Sequence, residues 1–412
     1  MAAIRNKVLV LNAGSSSLKF KLFEMGGSDS LKAIASGLCE RIGDPSKSSM
    51  KAKGGASDNK VFQEPMKDHT NALQLVSKFL SDTFSHSFVD EVHSVGHRVV
   101  HGRELSDSML ITPDVRKVIE QASDLAPLHN PPNLQGIDAA LKTFPESPQV
   151  AVFDTAFHAT MPPDAYMYAL PYELYVERAI RRYGFHGTSY KYLTQKAAQI
   201  LGKPENETNL VICHLGAGSS MCAVQNGKSI DTTMGLTPLE GLVMGSRCGD
   251  IDPAIIPYLV EHGMSIKEVD TMLNKKSGFL GLTGAVDLRH SLEGREKGDE
   301  RAKLGIDVFV RRVRKYLGAY LVHLGGKVDA VVFSAGIGEN SAIMRELMTR
   351  ELEWAGLKID ADKNKAAVQV EADIATPDSK VKCLVIPTDE ELSIAQQTLE
   401  VVRAAGKGAA RV

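Results

Sequence analysis

Two arginines of this 412-residue chain lie in apolar surroundings. Arg98 lies in the segment GHRVVHGRE and Arg247 in EGLVMGSRCGDIDP, and both segments combine aliphatic residues with glycine. A guanidinium in such a context needs an anionic partner, because a buried and unpaired charge is very costly. The partner is either a carboxylate of the chain itself or an anionic ligand, and the sequence leaves both open.

Several carboxylates follow strand-like segments. Asp154 ends VAVFD, and Asp389, Glu390 and Glu391 follow an apolar run in IPTDEELS. Enzymes of the α/β class place magnesium and phosphate ligands at such positions. Helix N-capping by Thr388 or Asp389 explains part of the same pattern without any chemistry.

Histidines add candidate hydrogen-bond donors. His186 lies in a predicted turn in YGFHGTSYKY and His129 lies between prolines in LAPLHNPPN. Each could donate to a developing negative charge or simply satisfy a loop carbonyl. His93, His97 and His101 recur every four residues, but the absence of HExxH and the Val and Gly content of this segment argue against zinc.

Two Gly-Ser turns, each between apolar runs, suggest phosphate binding. They occur in LVLNAGSSSLKF and VICHLGAGSSMCAV, about half the chain apart. Backbone N–H groups and hydroxyls in such turns can hold an anion, although tight turns alone would explain them. Neither is a Walker A loop. The long spacing predicts two duplicated domains.

The segment FSAGIGENS follows an apolar strand and allows two interpretations. Gly336-Ile337-Gly338 could open a dinucleotide-binding turn, but the third glycine of that motif is missing. Alternatively, it is a glycine-rich loop before a helix that covers the base and ribose of ATP, with Asn340 as a polar contact.

The elements that would position these residues alternate between strands and helices. Strand-like runs include KVLVLN, LKFKLF, SVGHRVVHG and VAVFDTAFH, and helical spacing occurs in DHTNALQLVSKFLSD and LGIDVFVRRVRKYLGAYLVHLGG. Residues 43–60 are small and polar, which predicts a surface hairpin or a mobile loop. This alternation predicts an α/β architecture.

The composition is that of an ordinary globular protein, with 43% hydrophobic and 24% charged residues and a net charge of -2. That balance gives no electrostatic case for nucleic acid or an anionic membrane as partner, and no apolar run is long enough to span a bilayer. Five scattered cysteines without a CxxC pair favour a reducing compartment. The start MAAIRNKVLVLN leaves no room for a signal peptide, so we expect a cytoplasmic protein, or an organelle-matrix protein if a transit peptide has been removed.

Taken together in their order, these motifs resemble the acetate kinase (acetokinase) family of the sugar kinase/Hsc70/actin superfamily, from Lys7 to about Gln396. Further motifs carrying the resemblance are APLHNPPN, GFHGTS and TPLEGLVMGSRCGDIDP. The resemblance implies two duplicated α/β lobes of the ribonuclease H-like, actin-like ATPase type, with mixed five-stranded sheets and an interlobe cleft. The N-terminal lobe is expected at residues 1–156, completed by 388–412. The C-terminal lobe, residues 157–387, is expected to bind the nucleotide and to form a homodimer.

The family's functional residues carry over by position. The implied catalytic residues are Asn12, Arg98, Asp154, His186 and Arg247. The implied substrate-binding residues are Arg98, Val100, Leu128, His129, Phe185, Pro238 and Arg247. The implied nucleotide contacts are Asn12, Ser15, Ser17, Lys19, His214, Gly216, Gly218, Ser219, Asp287, Leu288, Arg289, Gly336, Ile337 and Asn340. The implied metal-site residues are Glu390, Asn12 and Asp154.

The implied reaction is the reversible transfer of the γ-phosphate of ATP to acetate, which gives acetyl phosphate and ADP with Mg²⁺, or Mn²⁺ in its place. Alternatives are a propionate or butyrate kinase of the same family and, in a different class, an actin- or chaperone-like ATP-binding switch. Three positions depart from the commonest family pattern: Ala217, Leu288 and Asp389. Asp389 is expected to add negative charge beside the metal.

Overall fold

The computed structural model describes residues 5–27, 30–55 and 57–409. The chain divides into two compact units. Unit 1 contains the residues up to Ala156 together with those from Asp389 onward, and unit 2 contains Phe157–Thr388. Each unit has its own sheet.

The described strands of unit 1 form one mixed sheet. They are β1 (Lys7–Gly14), β2 (Ser17–Met25), β3 (Leu31–Glu40), β4 (Ser49–Gly54), β5 (Ser57–Phe62), β6 (Val92–Val99), β7 (Met109–Leu110) and β8 (Gln149–Phe153). Their order is β5-β4-β3-β2-β1-β6-β8-β7. The predicted segment 43–60 therefore contributes to the β4–β5 hairpin, apart from residue 56, which lies outside the described residues.

Helices cover both faces of this sheet. The helices that precede β8 are α1 (His69–Thr83), α2 (Phe88–Glu91), α3 (Pro113–Gln121) and α4 (Asn130–Thr143). Successive residues of β1 point to opposite faces, so Leu9 and Leu11 pack with α1 and α4 while Val8 and Val10 join a second core. The predicted helix in DHTNALQLVSKFLSD is confirmed as α1, with Asp68 as its N-cap.

The described strands of unit 2 also form one mixed sheet. They are β9 (Leu210–Leu215), β10 (Ser219–Gln225), β11 (Lys228–Thr232), β12 (Ala330–Ser334), β13 (Ala372–Asp373) and β14 (Lys382–Val385), in the order β11-β10-β9-β12-β14-β13. The helices of unit 2 are α5 (Pro163–Tyr166), α6 (Tyr172–Arg178), α7 (Gly187–Leu201), α8 (Ile255–Glu261), α9 (Ile266–Lys275), α10 (Gly278–Thr283), α11 (Leu288–Glu296), α12 (Glu300–His323), α13 (Ala335–Asn340), α14 (Ala342–Thr349) and α15 (Ala361–Ala366).

The last helix, α16 (Glu390–Ala409), belongs to unit 1 and supplies the second core with Ile394, Ala395 and Leu399. It approaches β6 very closely at Gly96. A Cβ at that position would lie 2.3 Å from Thr398 Oγ1, so only glycine fits there.

The two sheets share one pattern of five strands, which confirms the α/β class and the duplication. In unit 1 these strands are β3-β2-β1-β6-β8, and in unit 2 they are β11-β10-β9-β12-β14. In both, the first three strands pair antiparallel and the last three pair parallel. The expected count of five strands is wrong for the complete sheets. Within the described residues they have eight and six strands, because the β4–β5 hairpin and β7 extend the sheet of unit 1 and β13 extends the sheet of unit 2.

The glycine-rich segment after β12 differs from the predicted loop, since residues 335–340 form the short helix α13. Asn340 closes its turn by donating from Nδ2 to Gly336 O at 2.8 Å. Within the described part of the chain, no helix combines the length and the apolar character that a membrane span requires.

Candidate active-site residues

In unit 1, Arg98 is held by carboxylates. Its Nε and Nη2 donate to the two Asp154 oxygens at 3.0 and 2.7 Å, and Glu390 Oε2 lies 4.0 Å from Nη1. Asp154 is buried directly after β8, beside the β6 strand that carries Arg98. Burial by itself would lower the pKa of Arg98, but the charges of Asp154 and Glu390 raise it above its ordinary value. The sequence left open whether the partner of Arg98 is a carboxylate of the chain or an anionic ligand, and the structure shows a carboxylate of the chain.

Glu390 begins α16 and lies in an acidic neighbourhood. Burial raises the pKa of its carboxyl above the ordinary value, and the charges of Asp154 and Glu391 act in the same direction while Arg98 opposes them. Glu391 in turn forms an ion pair with Lys19.

The negative charge of Asp389 is balanced by Lys21. Lys21 Nζ donates to both of its oxygens at 2.9 and 2.7 Å. Its Oδ1 also accepts from Leu392 N at 2.9 Å, which confirms the N-capping interpretation. The negative charge expected from this departure is therefore offset within unit 1.

Asp154 and Glu390 suit a hard divalent cation. Carboxylate oxygens are the ligands that Mg²⁺ prefers, and one or two carboxylates are sufficient when waters and phosphate oxygens complete the shell. Burial is the main cause of the raised pKa of Glu390, and the neighbouring carboxylates Asp154 and Glu391 raise it further, which is negative charge that a cation would offset. No group of three or more His, Cys, Asp or Glu residues that could hold a metal ion occurs among the described residues.

The tip of the β1–β2 hairpin carries Asn12, Ser15, Ser17 and Lys19. Asn12 pairs with Lys19 and Gly14 with Ser17, so the predicted turn is confirmed at residues 15 and 16. Two residues that the sequence analysis missed hold its backbone. Asn133 Nδ2 donates to Ala13 O at 2.7 Å, and His69 Nε2 donates to Gly14 O at 2.7 Å.

The four residues of the implied apolar pocket divide between the units. Val100 is buried and Leu128 is exposed in unit 1, whereas Phe185 is buried and Pro238 is partly buried in unit 2. His129 is exposed and precedes α4. Their grouping around one substrate stays a prediction.

In unit 2, His186 has a left-handed backbone with φ 59° at the start of α7. Residues other than glycine are uncommon in that conformation, although histidine adopts it more often than most, and backbone strain often occurs at functional sites. Its Nδ1 lies 2.8 Å from Ser220 Oγ, which also contacts the Tyr190 hydroxyl, and its ring stacks on His214 at 4.2 Å. His214 Nδ1 lies 2.8 Å from Ser189 Oγ. Both rings are therefore fixed by serine hydroxyls.

The turn after β9 brings Gly216, Gly218 and Ser219 next to these histidines. A Cβ on Gly218 would lie 2.7 Å from Arg247 Nη2 and 3.4 Å from His186 Nε2. Glycine at position 218 thus leaves space that the guanidinium of Arg247 and the ring of His186 occupy. This turn has three residues, 216–218, against two in the β1–β2 hairpin. The strand that follows the turn begins at a serine in both hairpins, Ser17 in β2 and Ser219 in β10.

Arg247 differs from Arg98 in having no carboxylate partner among the residues that the structure describes. Its Nη1 donates to Pro238 O at 2.6 Å. Among the described residues no Asp or Glu oxygen lies within ion-pair distance of it, and burial lowers the pKa of its guanidinium with no opposing charge. A partly buried cation that the chain does not neutralise is a strong candidate for binding an anionic ligand.

A cavity of about 590 Å³ lies on unit 2, within the size range of small-molecule sites. Seven of the implied nucleotide contacts line it: Gly216, Asp287, Leu288, Arg289, Gly336, Ile337 and Asn340. The sequence analysis missed other lining residues, which carry no motif of their own, namely Gly245, Phe279, Val286, Leu292, Ser341 and Gln369.

Two departures from the family pattern lie at this cavity. Ala217 lines it, and its carbonyl accepts from Gly245 N at 2.9 Å. Leu288 lines the cavity and also packs in the hydrophobic core of unit 2. Asp287 caps α11 and pairs with Arg289, whose hydrogen bonds lower the pKa of Asp287 to about 2.

The structure has two duplicated mixed sheets and a cavity large enough for a nucleotide. A glycine-rich turn lies beside Arg247, which has no described carboxylate partner. These features are typical of an α/β enzyme that binds phosphate esters or other anions. The model of the acetokinase family matches residues 7–396. The chain is 52% identical over 402 residues to the acetate kinase of Methanosarcina thermophila, covering 96% of this chain and 97% of that one.

Solved structures agree with this assignment. The acetate kinase of Porphyromonas gingivalis matches with a TM-score of 0.90 at 42% identity, and a propionate kinase from Francisella tularensis matches with 0.89 at 42%. Each match covers 96% of this chain and 100% of the other. The chain belongs to the acetokinase family and is a kinase, which confirms the resemblance.

Proposed function

We propose that this enzyme transfers the γ-phosphate of ATP reversibly to acetate, giving acetyl phosphate and ADP. The observation that carries the proposal is Arg247, a partly buried guanidinium beside His186 and Gly218 whose charge no described carboxylate balances. An acetate carboxylate and a phosphoryl group are both anions that a guanidinium binds through paired hydrogen bonds.

The nucleotide part of the proposal rests on the cavity of unit 2. Its lining joins the turn after β9 to α11 and α13, and its volume suits an adenosine group. We expect Asp287, Leu288 and Arg289 on one side of the base and ribose and Gly336, Ile337 and Asn340 on the other. His214, Gly216, Gly218 and Ser219 would then hold the ATP phosphates.

The chemistry needs positioning and charge neutralisation. An acetate oxygen attacks the γ-phosphorus in line, the bond from phosphorus to the bridging oxygen of ADP breaks, and ADP leaves with that electron pair. No general base is required, because a carboxylic acid is already ionised at neutral pH. Arg247 and His186 donate to the charge that spreads over the phosphoryl oxygens.

Residues of unit 1 complete the proposed set. Arg98 binds and orients the anionic substrates, and Asp154 fixes its guanidinium through two hydrogen bonds. Asn12 contacts the γ-phosphate, with Ser15, Ser17 and Lys19 supporting its turn. Val100, Leu128, Phe185 and Pro238 contact the acetate methyl group, with His129 nearby.

Asp154 and Glu390, with Asn12, would hold Mg²⁺, or Mn²⁺ in its place. When bound, the ion neutralises charge on the ATP phosphates. A change in the thermal stability of the protein on adding Mg²⁺, lost in Glu390→Gln, would support this assignment independently of turnover.

Trapping of the acyl phosphate tests the proposed reaction. The enzyme, ATP and Mg²⁺ are incubated with hydroxylamine and acetate, propionate or butyrate, and the hydroxamate is measured. We expect acetate to give the highest kcat/KM, with Arg247→Ala as a negative control. Absence of hydroxamate with every acid would contradict the proposal.

A propionate kinase is the second candidate, since a relative of that name matches at a TM-score of 0.89. One methylene in an apolar pocket is worth about 1–3 kcal/mol, so a few side chains set the preference. A higher kcat/KM for propionate in the same assay would select this candidate. An ATP-dependent switch is not favoured, and it would require ATP hydrolysis that acetate does not change.

We also propose that the enzyme is a cytoplasmic homodimer that assembles through unit 2. Large apolar side chains exposed on this unit support such an interface: Leu170, Tyr172, Val176, Tyr258 and Ile266. Light scattering of the purified chain tests the dimer, and Tyr172→Glu together with Val176→Glu should give a monomer if α6 contributes.

A further inference from the structure

The segment that carries Arg247 has no helix or strand of its own. It runs from the end of β11 to the start of α8, within the described residues of unit 2. Leu242, Val243 and Met244 on this segment are nevertheless buried. Buried irregular backbone needs hydrogen-bond partners other than a regular ladder, so its shape depends on the side chains that supply them.

One cluster, which we term the first triad, comprises Tyr168, Arg182 and Glu240. Arg182 Nη1 donates to the carbonyls of residues 232, 233 and 234 at 2.9, 3.2 and 3.1 Å, and Nη2 donates to Glu240 Oε1 at 2.6 Å. The Tyr168 hydroxyl donates to Glu240 Oε2 at 2.5 Å and accepts from Leu236 N at 2.9 Å. The first triad therefore fixes residues 232–240.

The second triad, Asp250, Arg312 and Tyr316, contains the same three kinds of group, a carboxylate, a guanidinium and a phenol, with aspartate in place of glutamate. Arg312 donates to Gly241 O at 2.8 Å and to Asp250 O at 3.1 Å, and its Nη1 lies 3.3 Å from Asp250 Oδ2. The Asp250 carboxylate accepts from Gly241 N and from the Tyr316 hydroxyl, both at 2.8 Å. The second triad therefore fixes both ends of residues 241–250.

Arg247 depends on both stretches. Its Nη1 is anchored on Pro238 O at 2.6 Å, within the stretch held by the first triad. Its own carbonyl accepts from Met244 N at 3.1 Å, within the stretch held by the second. Burial raises the pKa of both triad tyrosines, so their hydroxyls remain donors at neutral pH.

Each triad pairs one arginine with one carboxylate, so its charge is balanced internally. The carboxylates of the triads pair with Arg182 and Arg312 and not with Arg247. We infer that the two triads are positioning devices for Arg247, the first setting its guanidinium and the second its backbone. This inference rests on the proposed role of Arg247 in binding the anionic substrate.

Tyr168→Phe is the sharpest perturbation, because it removes one hydroxyl and keeps the ring and both charges. We expect kcat/KM for acetate to fall about tenfold, since small displacements of a positioning group are costly in rate. The KM for ATP should stay within about twofold. Tyr166→Phe is the matched control, because within the described part of the chain the Tyr166 hydroxyl hydrogen-bonds to the Tyr175 hydroxyl, at 3.3 Å, and not to the segment that carries Arg247. The activity of this variant should not change.

A double-mutant cycle separates positioning from general stabilisation. In an Arg247→Ala background, Tyr168→Phe should change the residual kcat/KM by less than about twofold, since the group it positions is gone. If Tyr168→Phe does not fold, Tyr316→Phe takes its place in the same cycle.

The outcomes distinguish the inference from the proposal beneath it. An equal loss of kcat/KM in both backgrounds, or no loss in the native background, would overturn the inference and leave the role of Arg247 standing. A nearly normal kcat/KM in Arg247→Ala alone would overturn both.

Discussion

Arg98 in unit 1 and Arg247 in unit 2 lie in similar sequence contexts and have opposite electrostatic environments. Arg98 is locked to Asp154 by two hydrogen bonds with Glu390 nearby, whereas Arg247 contacts a backbone carbonyl and no described carboxylate. The first is a part of the scaffold as well as a candidate ligand for substrate. The second has little structural function, which indicates that its charge is retained for an anion. Stability and activity should therefore respond differently to the two arginines.

The largest expected effect is that of Arg247→Ala on turnover. Loss of one charge-stabilising donor typically costs about 2.7–4 kcal/mol of barrier, or about 10²–10³ in kcat. The free energy of unfolding should change by less than about 1 kcal/mol, because only the bond to Pro238 O is lost. Steady-state kinetics and urea unfolding of the same preparations measure the two. A kcat within about threefold of the native value would contradict the assignment.

Arg98→Ala should lose turnover and also stability. It removes the guanidinium that pairs with the buried Asp154 carboxylate, and breaking a buried ion pair from one side costs about 3 kcal/mol. Urea unfolding should detect this loss. The matched control is the double variant Arg98→Ala with Asp154→Asn, which should recover stability and not activity. An Arg98→Ala protein as stable as the native one would show that the ion pair is unimportant for folding.

The acidic neighbourhood of Arg98 predicts a dependence of stability on pH. Because the folded-state pKa of Glu390 is raised above 4.5, the folded protein binds this proton more tightly than the unfolded chain. Its contribution is fully present below pH 4.5 and is lost as the pH rises through the folded pKa. Glu390→Gln should therefore gain stability relative to the native protein as pH rises, measured by urea unfolding. A difference that is constant with pH would contradict this.

Asp389→Asn should have the smallest effect. The ion pair with Lys21 is partly exposed, so its loss should cost less than about 1 kcal/mol, and asparagine can still cap α16. Thermal unfolding and kcat should both remain close to those of the native enzyme. A large loss of activity would assign Asp389 a role beyond capping and ion pairing.

Much of the fold followed from local pattern. The apolar run before Asn12, the Asp68-capped helix and the two Gly-Ser hairpins are each specified by residues close together in the chain. The α13 helix was missed, because its glycines favour a loop locally and its stabilising contact from Asn340 depends on the helix already being formed. The β4–β5 hairpin lies in the segment where a surface hairpin was one of two predictions, whereas the two-residue strands β7 and β13 were missed because they are too short to show a periodicity.

The sequence by itself predicted the α/β class and the duplication, because periodicity and turn chemistry are local properties. The ordered motifs indicated the family, and the resemblance to that family implied the candidate site residues. Only the tertiary structure decided that Arg98 pairs with a carboxylate and that, within the described ranges, Arg247 does not. Asp154 is 56 positions from Arg98 and Glu390 is nearly three hundred away. A charge is neutralised by whatever lies within a few ångströms, and packing of β6, β8 and α16, not chain neighbours, sets those distances.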